Sequence, residues 1–315
     1  MQQRSIRSAI VTGSTGAVGT ALCNRLLKAG IEVFAVVRPD SKRAGALPRH
    51  EKLHRVDCDA TEFSALPDRM KGICADAFFS LAWANTIGAG RNDMPSQVDN
   101  IRHTIDAVRA AHALGCKVFI GTGSQAEYGR VEGVLRADTP AFPENGYGMA
   151  KLCAGQMSRV ECEMLGMDHV WVRILSVYGP HDGANSMISS TIRRLLNGEK
   201  PALTAGEQMW DYLYSEDSAE ALYRCALLGR SGKVYPLGSG RAVPLRQYIE
   251  VLRDAIDPSL PLGFGEIPYS PLQVMHLQAD IAELTADTGF EPTTGFDEGI
   301  RNTIDWVKGE IHAQG

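Results

Sequence analysis

Tyr147 and Lys151 stand four residues apart in the segment Tyr147-Gly148-Met149-Ala150-Lys151. If that segment is helical, the phenol and the ammonium share one face. A tyrosine titrates at about 10, and a nearby cation favours its phenolate, so the pair could pass a proton near neutral pH. A surface helix produces the same spacing by chance, so the pair needs company. Ser124 provides it. It follows the strand pattern Lys117–Ile120 and the turn-like Gly121-Thr122-Gly123, which puts its hydroxyl at the carboxyl end of a strand. A hydroxyl there can hydrogen-bond a substrate carbonyl or alcohol. Together the three suit proton transfer to or from an oxygen while its carbon is reduced or oxidised.

Such chemistry needs a hydride carrier. Ile10-Val11-Thr12-Gly13-Ser14-Thr15-Gly16-Ala17-Val18-Gly19 leaves one strand pattern and enters a helical one. Gly13 can turn sharply, Gly16 lets a phosphate approach the backbone, and Gly19 allows close helix packing. The helix start at Ala17 and Val18 offers free N–H groups and positive dipole charge to a pyrophosphate. The spacing is GxxGxxG, not the GxGxxG of the standard fingerprint. An acidic residue after the second strand normally holds the ribose hydroxyls of NAD. Here Val33–Val37 is followed by Arg38, with Ser41, Lys42 and Arg43 beyond, and Asp40 comes only after Pro39. A guanidinium in that place suits a 2′-phosphate. NADP(H) is the expected cofactor, with NAD(H) as the alternative.

Periodicity gives the elements that must hold these residues. Strand patterns occur at Ile6–Val11, Val33–Val37, Lys52–Val56, Ala75–Leu81, Val118–Ile120 and His169–Leu175. Helical patterns lie between them at Ala17–Lys28, Pro95–Leu114 and Gly146–Leu165. This alternation predicts an α/β fold, a Rossmann-type doubly wound parallel sheet over residues 1–178. Gly179-Pro180 then breaks the chain, and turn signals such as Asn197-Gly198, Ser239-Gly240 and Asp257-Pro258 become frequent. Helical patterns persist at Asn185–Leu196, Asp217–Leu228, Pro244–Ala255 and Phe296–Lys308. Residues 179–315 are expected to form a smaller, partly interleaved substrate-binding domain, with some segments returning to the Rossmann sheet.

Composition narrows the function classes. The 315 residues are 44% hydrophobic and 22% charged, which fits a globular chain and excludes disordered or fibrous ones. Acidic residues outnumber basic ones 37 to 32, so no basic face for nucleic acid stands out. No apolar run reaches the roughly 20 residues of a membrane span. Ala9–Val11 is too short for the apolar core of a signal peptide. Seven cysteines without CxxC or zinc spacing read as reduced thiols in a cytoplasm, and no metal site is expected.

The ordered set of motifs resembles the extended short-chain dehydrogenase/reductase family: nucleotide-sugar epimerases, dehydratases and ketoreductases. It comprises the Thr12–Gly19 loop, Asp57-Cys58, Ser80-Leu81-Ala82-Trp83, Asn100, Ser124 with Tyr128-Gly129, Tyr147 with Lys151, Arg173 through Val177-Tyr178-Gly179-Pro180, Asp211-Tyr212 and Glu216-Asp217. Ala279-Asp280 and Gly289-Phe290 with Pro292 match as well. The resemblance implies that Ser124, Tyr147 and Lys151 are a catalytic triad, and that Lys151 also holds the nicotinamide ribose. It puts Asp57 and Cys58 by the adenine and Leu81, Ala82 and Val177 along the cofactor, with Asn100 either structural or supporting a residue that touches the ligand. Substrate would meet Ser124, Ser176, Trp210, Tyr212, Arg241 and His276. Members often dimerise through the helices after the fourth and fifth strands, so a homodimer is expected.

Two positions depart from the family pattern. Ser176 replaces an Asn that often holds the sugar diphosphate, and Trp210 replaces an Arg that clamps a phosphate in many members. Arg193, Arg194, Arg241 and His276 are candidates to compensate. Related dehydratases carry acidic residues one or two positions after the catalytic hydroxyl; here Gln125 and Ala126 stand there, and Glu127 is one residue further on. In an extended backbone that one-residue shift turns the side chain to the opposite face. The expected activity is NADP(H)-dependent reduction of a 4-keto nucleotide sugar. The alternatives are a 4-epimerase, then a 4,6-dehydratase, and, from another class, a dinucleotide-binding regulator without turnover.

Overall fold

Strands covered by helices on both faces read as unbroken apolar runs, and the centre of this sheet does so. The computed structural model describes residues 3–314. The chain opens with β1 (Ser8–Thr12), α1 (Ala17–Lys28), β2 (Glu32–Val37), β3 (Leu53–Asp57), the single-turn α2 (Leu66–Arg69) and β4 (Ala77–Ser80). Next come α3 (Met94–Ala113), β5 (Val118–Ser124), α4 (Gly146–Met164), β6 (Asp168–Ile174), β7 (Ser176–Tyr178) and α5 (Met187–Leu196). Then follow β8 (Ala202–Leu203), β9 (Met209–Trp210), β10 (Tyr212–Tyr214), α6 (Ser215–Leu228) and β11 (Val234–Leu237). β12 (Val243–Pro244), α7 (Leu245–Ile256), β13 (Gly263–Phe264), α8 (Ala282–Thr288) and α9 (Phe296–Gln314) complete it.

Seven strands form the main sheet in the order β11-β6-β5-β4-β1-β2-β3, with every neighbouring pair parallel. The order reverses between β1 and β4, the point beyond whose carboxyl ends a ligand crevice opens in such sheets. Alternate residues of β1 face opposite cores. Ala9 and Val11 meet Leu22 and Leu26 of α1 and Leu222 of α6. Ile10 faces the other way, into the core built by Ala107, Val108 and Ala111 of α3 and Cys162 of α4. A third cluster joins Ile188 and Ile192 of α5, Leu252 of α7, and Ile300 and Ile304 of α9 to Tyr178 and Tyr214. Short ladders, β7 with β10, β8 with β13 and β9 with β12, tie this C-terminal part together.

The α/β doubly wound sheet is the architecture expected from the alternation. The seventh strand was not foreseen. β11 contains Pro236 and follows a Gly-rich turn, both of which argue against a strand. It lies at the sheet edge, where a missing N–H is tolerated. Together with α6 it brings residues beyond 178 back against the sheet. Among the described residues no helix is long and apolar enough to cross a membrane.

One packing device controls how β5 meets α4. The indole of Trp171, on β6, lies where Gly121 and Gly123 of β5 leave room; a Cβ at either would run into the ring. On the helix side a Cβ at Gly155 would come within 2.6 Å of the indole. Ala is intrinsically better than Gly in a helix by about 1 kcal/mol, yet overpacking costs about 1–3 kcal/mol. Gly155→Ala is therefore expected to lower stability by up to about 2 kcal/mol, read as a lower urea midpoint; a raised midpoint would contradict this packing.

Candidate active site

The cleft beside the switch point has a volume of about 600 Å³. Its floor is the turn after β1. The Thr12 hydroxyl accepts from the amides of Leu81 (3.1 Å) and Ala82 (3.2 Å), which joins the ends of β1 and β4. Gly13 has φ +65°, and a Cβ there would strike the Leu81–Ala82 backbone at 2.9 Å. Gly19 packs so closely on Gly13 that any side chain would collide with its carbonyl. Thr15 and Gly16 line the cleft. Ala17, Val18 and Gly19 form the first turn of α1, which no side chain caps, so their amides are available to an anion. These features fit a dinucleotide pyrophosphate.

One end of the cleft is basic. Arg38, Ser41 and Arg43 line the cleft, with Cys58 opposite. Arg43 also donates to the carbonyls of His181 (3.0 Å) and Asp182 (3.3 Å), linking the loop after β2 to the loop after β7. Cys58 is buried, which raises its thiol above the ordinary range. Asp57 does not line this cleft. Its carboxylate pairs with Arg55 at 2.6 Å, beside a separate groove at the outer edge of the sheet. Asp59, not singled out from the sequence, does line the cleft. Hydrogen bonding to the Thr61 backbone holds its carboxyl below the usual range; the Asp59-x-Thr61 turn was its readable signal. Leu81 and Ala82 form the far wall. Val177 instead pairs with Leu213 in β7–β10 and packs against the α1–α6 core.

The proposed triad meets at the carboxyl end of β5. Ser124 is the last residue of that strand and is buried. Its Oγ accepts from the Ala126 amide at 3.2 Å, which leaves the O–H free to donate elsewhere. Tyr147 sits in the first turn of α4, where Asn145 caps the helix by accepting from the Gly148 amide at 2.9 Å. Burial lifts the Tyr147 phenol above its ordinary range, while Ser124 and Arg91 pull it down. Lys151, one turn on and buried, donates to the Thr122 carbonyl at 2.6 Å. Its Nζ also lies 3.8 Å from the centroid of the Trp83 ring. Burial pushes the Lys151 ammonium down to about 7, and the charge of Glu127 opposes that. Trp83 meets Tyr147 edge-on at 6.1 Å and also lines the cofactor cleft, so it connects the two halves of the site. Asn100 on α3 holds the backbone of Ala84 by accepting from its amide and donating to its carbonyl, both at 3.0 Å.

Glu127 is fully buried. Residues 125–127 form a 3₁₀ turn, not an extended strand. The carboxylate accepts from the Ser124 amide (2.8 Å), Trp171 Nε1 (3.1 Å) and Arg173 Nε (2.6 Å). It is committed to structure by three donors.

The candidate substrate residues divide into two groups. Trp210 Nε1 donates to Ser176 Oγ at 2.9 Å, and β9, which carries Trp210, pairs with β12 and bridges His276 through Met209. Arg241 is exposed on the adjoining loop. That loop is fixed by Asp211, which accepts from the amides of Ser239 (2.7 Å) and Gly240 (3.1 Å). Ser176, Trp210, Arg241 and His276 thus belong to one connected stretch of the C-terminal part. Tyr212 lies instead in an aromatic cluster with Tyr178, Tyr248 and Phe296, and burial raises its hydroxyl. Arg193 Nε is shielded and has no partner among the described residues. In the sequence Trp83 shows only as part of a motif, and Arg91, in the turn Gly88–Asn92, has no signal in spacing.

The family model for the NAD dependent epimerase/dehydratase family matches residues 9–238. An uncharacterized UDP-glucose epimerase of Bacillus subtilis is 24% identical over 314 residues, covering 95% of this chain and 97% of the relative. The solved UDP-N-acetylglucosamine 4-epimerase of Methanobrevibacter ruminantium is similar with a TM-score of 0.87 and 23% identity, over 98% of this chain and 100% of that one. The UDP-glucuronic acid 4-epimerase of Bacillus cereus, solved with NAD, gives 0.84 and 20%, over 96% and 99%. With the motif order, the switch-point cleft and this match over most of its length, the chain belongs to the NAD dependent epimerase/dehydratase family.

Proposed function

We propose that this protein reduces the 4-keto group of a nucleotide-linked sugar, with NADPH as the reductant. The observation that carries the reading is the meeting of Ser124, Tyr147 and Lys151 at the end of β5, beside a cleft whose uncapped helix start suits a pyrophosphate. A bound nicotinamide would supply the hydride. Ser124 would donate to the substrate oxygen and hold it. Tyr147 would give its phenolic proton to that oxygen as the carbonyl becomes an alcohol. Lys151, buried against Thr122 and Trp83, would complete the wall and hold the ribose. Ser176, Trp210, Arg241 and His276 are the proposed grip on the nucleotide sugar.

Arg38 supports NADP(H) over NAD(H): it lines the adenosine end, and no carboxylate closes β2. The three donors on Glu127 weigh against a dehydratase, since a committed carboxylate is a poor mobile acid or base. A 4-epimerase is the second reading. The link from Arg43 to the loop of His181 and Asp182 favours it, because a closed clasp would retain the cofactor through both half-reactions, and the relatives above are called epimerases. The seven free cysteines support a reducing, cytoplasmic setting.

We also infer a homodimer through α3 and α4. Val98 on α3 and Met149, Met157, Val160 and Met164 on α4 are exposed, Met164 to 78%, on two helices that pack side by side. A row of large apolar side chains in water marks an interaction surface.

Tyr147→Phe keeps the ring and removes the transferable proton. It should cut kcat by about 10²–10⁴-fold while the dinucleotide Kd stays within a factor of about 2; full turnover would remove Tyr147 from the reaction. A charge-assisted bond to a 2′-phosphate is worth about 1.5–3 kcal/mol, so the native protein should prefer NADPH over NADH by about 10- to 100-fold. Arg38→Ala should erase most of that preference without weakening NADH, and equal affinities in the native protein would sink the claim. Met157→Glu should convert a dimer to a monomer in sedimentation velocity; a native protein that is already monomeric would refute the α3–α4 interface.

A further inference from the structure

Burial works against the charge of Lys151 and pushes its ammonium down to about 7. The ammonium makes one hydrogen bond among the described residues, to the Thr122 carbonyl at 2.6 Å, so donors remain for a ligand in the cleft. The charge of Glu127 helps, but that carboxylate is already paired with Arg173 at 2.6 Å. One more group meets the cation. The centroid of the Trp83 ring lies 3.8 Å from Lys151 Nζ. The face of an indole is the strongest aromatic site for a cation, most of all where the pair is out of water.

Buried amides of α3 place the ring for that contact. Trp83 Nε1 donates to Gln97 Oε1 at 3.0 Å, and Asn100 Nδ2 donates to the same oxygen at 3.4 Å. Gln97 Nε2 in turn donates to the carbonyls of Asn85 and Gly90, both at 3.0 Å. Asn100 fixes the backbone of Ala84, the residue after Trp83. Gln97 and Asn100 are themselves buried, so the indole N–H is anchored on α3 while the ring face is left to Lys151. The same ring meets Tyr147 edge-on at 6.1 Å and lines the cofactor cleft. An aliphatic side chain at position 83 would fill the space but offer the cation no negative face.

We propose that Trp83 is a positioning residue for Lys151: the face of its indole seats the buried ammonium in its charged form beside the cofactor cleft, and so keeps the cation that the Tyr147 proton transfer uses. The inference rests on Lys151 supporting Tyr147 in the proposed reduction. The titratable and charged groups around the pair are few. Tyr147 lies one turn back on α4, and Glu127 comes from the turn after β5, paired to Arg173 of β6. Arg91, from the turn Gly88–Asn92, lies over the far side of the site on the Tyr147 ring. Trp83 is the one aromatic face in contact with the Lys151 ammonium among the described residues.

Lysine labelled with ¹³C at Cε reports the ammonium in the full-length, cofactor-free protein, and the Lys151 signal is assigned by its absence from Lys151→Met. Its Cε protons should stand upfield of those of the other lysines, because the indole ring current falls on them, and Trp83→Leu should lose that displacement. Trp83 is then replaced, at that position alone, by tryptophans carrying one, two and three ring fluorines. Fluorine drains the ring face while leaving the indole shape and its N–H in place. The Lys151 titration midpoint should fall with each fluorine, by about one unit across the series. Trp83→Phe and Trp83→Leu both lack the indole N–H, but only the first keeps a ring face, so its midpoint should stay the higher of the two. In single turnover with NADPH and a 4-keto nucleotide sugar, at the pH of the native midpoint, reduction should slow in step with fluorination. A midpoint or a turnover rate indifferent to fluorination, or Phe and Leu variants that titrate alike, would overturn the proposal. The full titration series with no turnover in the native protein would instead leave the Trp83–Lys151 pairing standing and refute the reductase reading.

Discussion

The carboxylate of Glu127 is the interaction on which the catalytic end of the molecule depends. It is fully buried and holds the Ser124 amide, the Trp171 indole and the Arg173 guanidinium at once. Removing one partner of such a buried pair costs about 3–5 kcal/mol, because the other charge is left without compensation. The geometry around it has no slack. Gly121, Gly123 and Gly155 exist as glycines because the Trp171 ring fills the space where their side chains would stand. β5, β6 and α4 are locked together there, and Ser124 and Tyr147 are the ends of two of those elements. A one-residue displacement of an acid along this turn has thus been used for structure.

The electrostatics of the site follow from burial. Lys151 and Tyr147 are both withdrawn from water, which disfavours the charged form of each. Lys151, pushed down to about 7, donates to a backbone carbonyl and lies over an indole face, and its ammonium keeps further donors. The guanidinium of Arg91, from the turn Gly88–Asn92, also lies over the Tyr147 ring. The dinucleotide cleft uses the opposite strategy. One end offers uncapped backbone amides, and the other the exposed guanidinium groups of Arg38 and Arg43.

Much of this was legible in the sequence, and the losses have physical reasons. The βαβ alternation, the glycine turn after β1 and the Ser124–Tyr147–Lys151 set are local signals, carried by short spacings and by strand ends. β11 was invisible because an edge strand tolerates Pro236, which sequence reading takes as a breaker. Arg91 was invisible because contact with Tyr147 spans α3 and β5, and no periodicity links residues 56 positions apart. Asp57 and Val177 were assigned by resemblance, and in this structure their side chains turn to an ion pair and to the core. Tyr212 reads as a polar residue in a motif, but three aromatic rings surround it.

In the proposed reduction the cleft and the Ser124–Tyr147 pair together deliver a hydride and a proton across one carbonyl. Single-turnover mixing of the protein with NADPH deuterated at the transferring position and a 4-keto nucleotide sugar tests this most directly. The expected result is deuterium on carbon 4 of a hydroxylated product, with one NADP⁺ formed per product and a loss of both in Tyr147→Phe. Binding of the dinucleotide and the sugar with no deuterium on the product, or deuterium transfer undiminished in Tyr147→Phe, would contradict it.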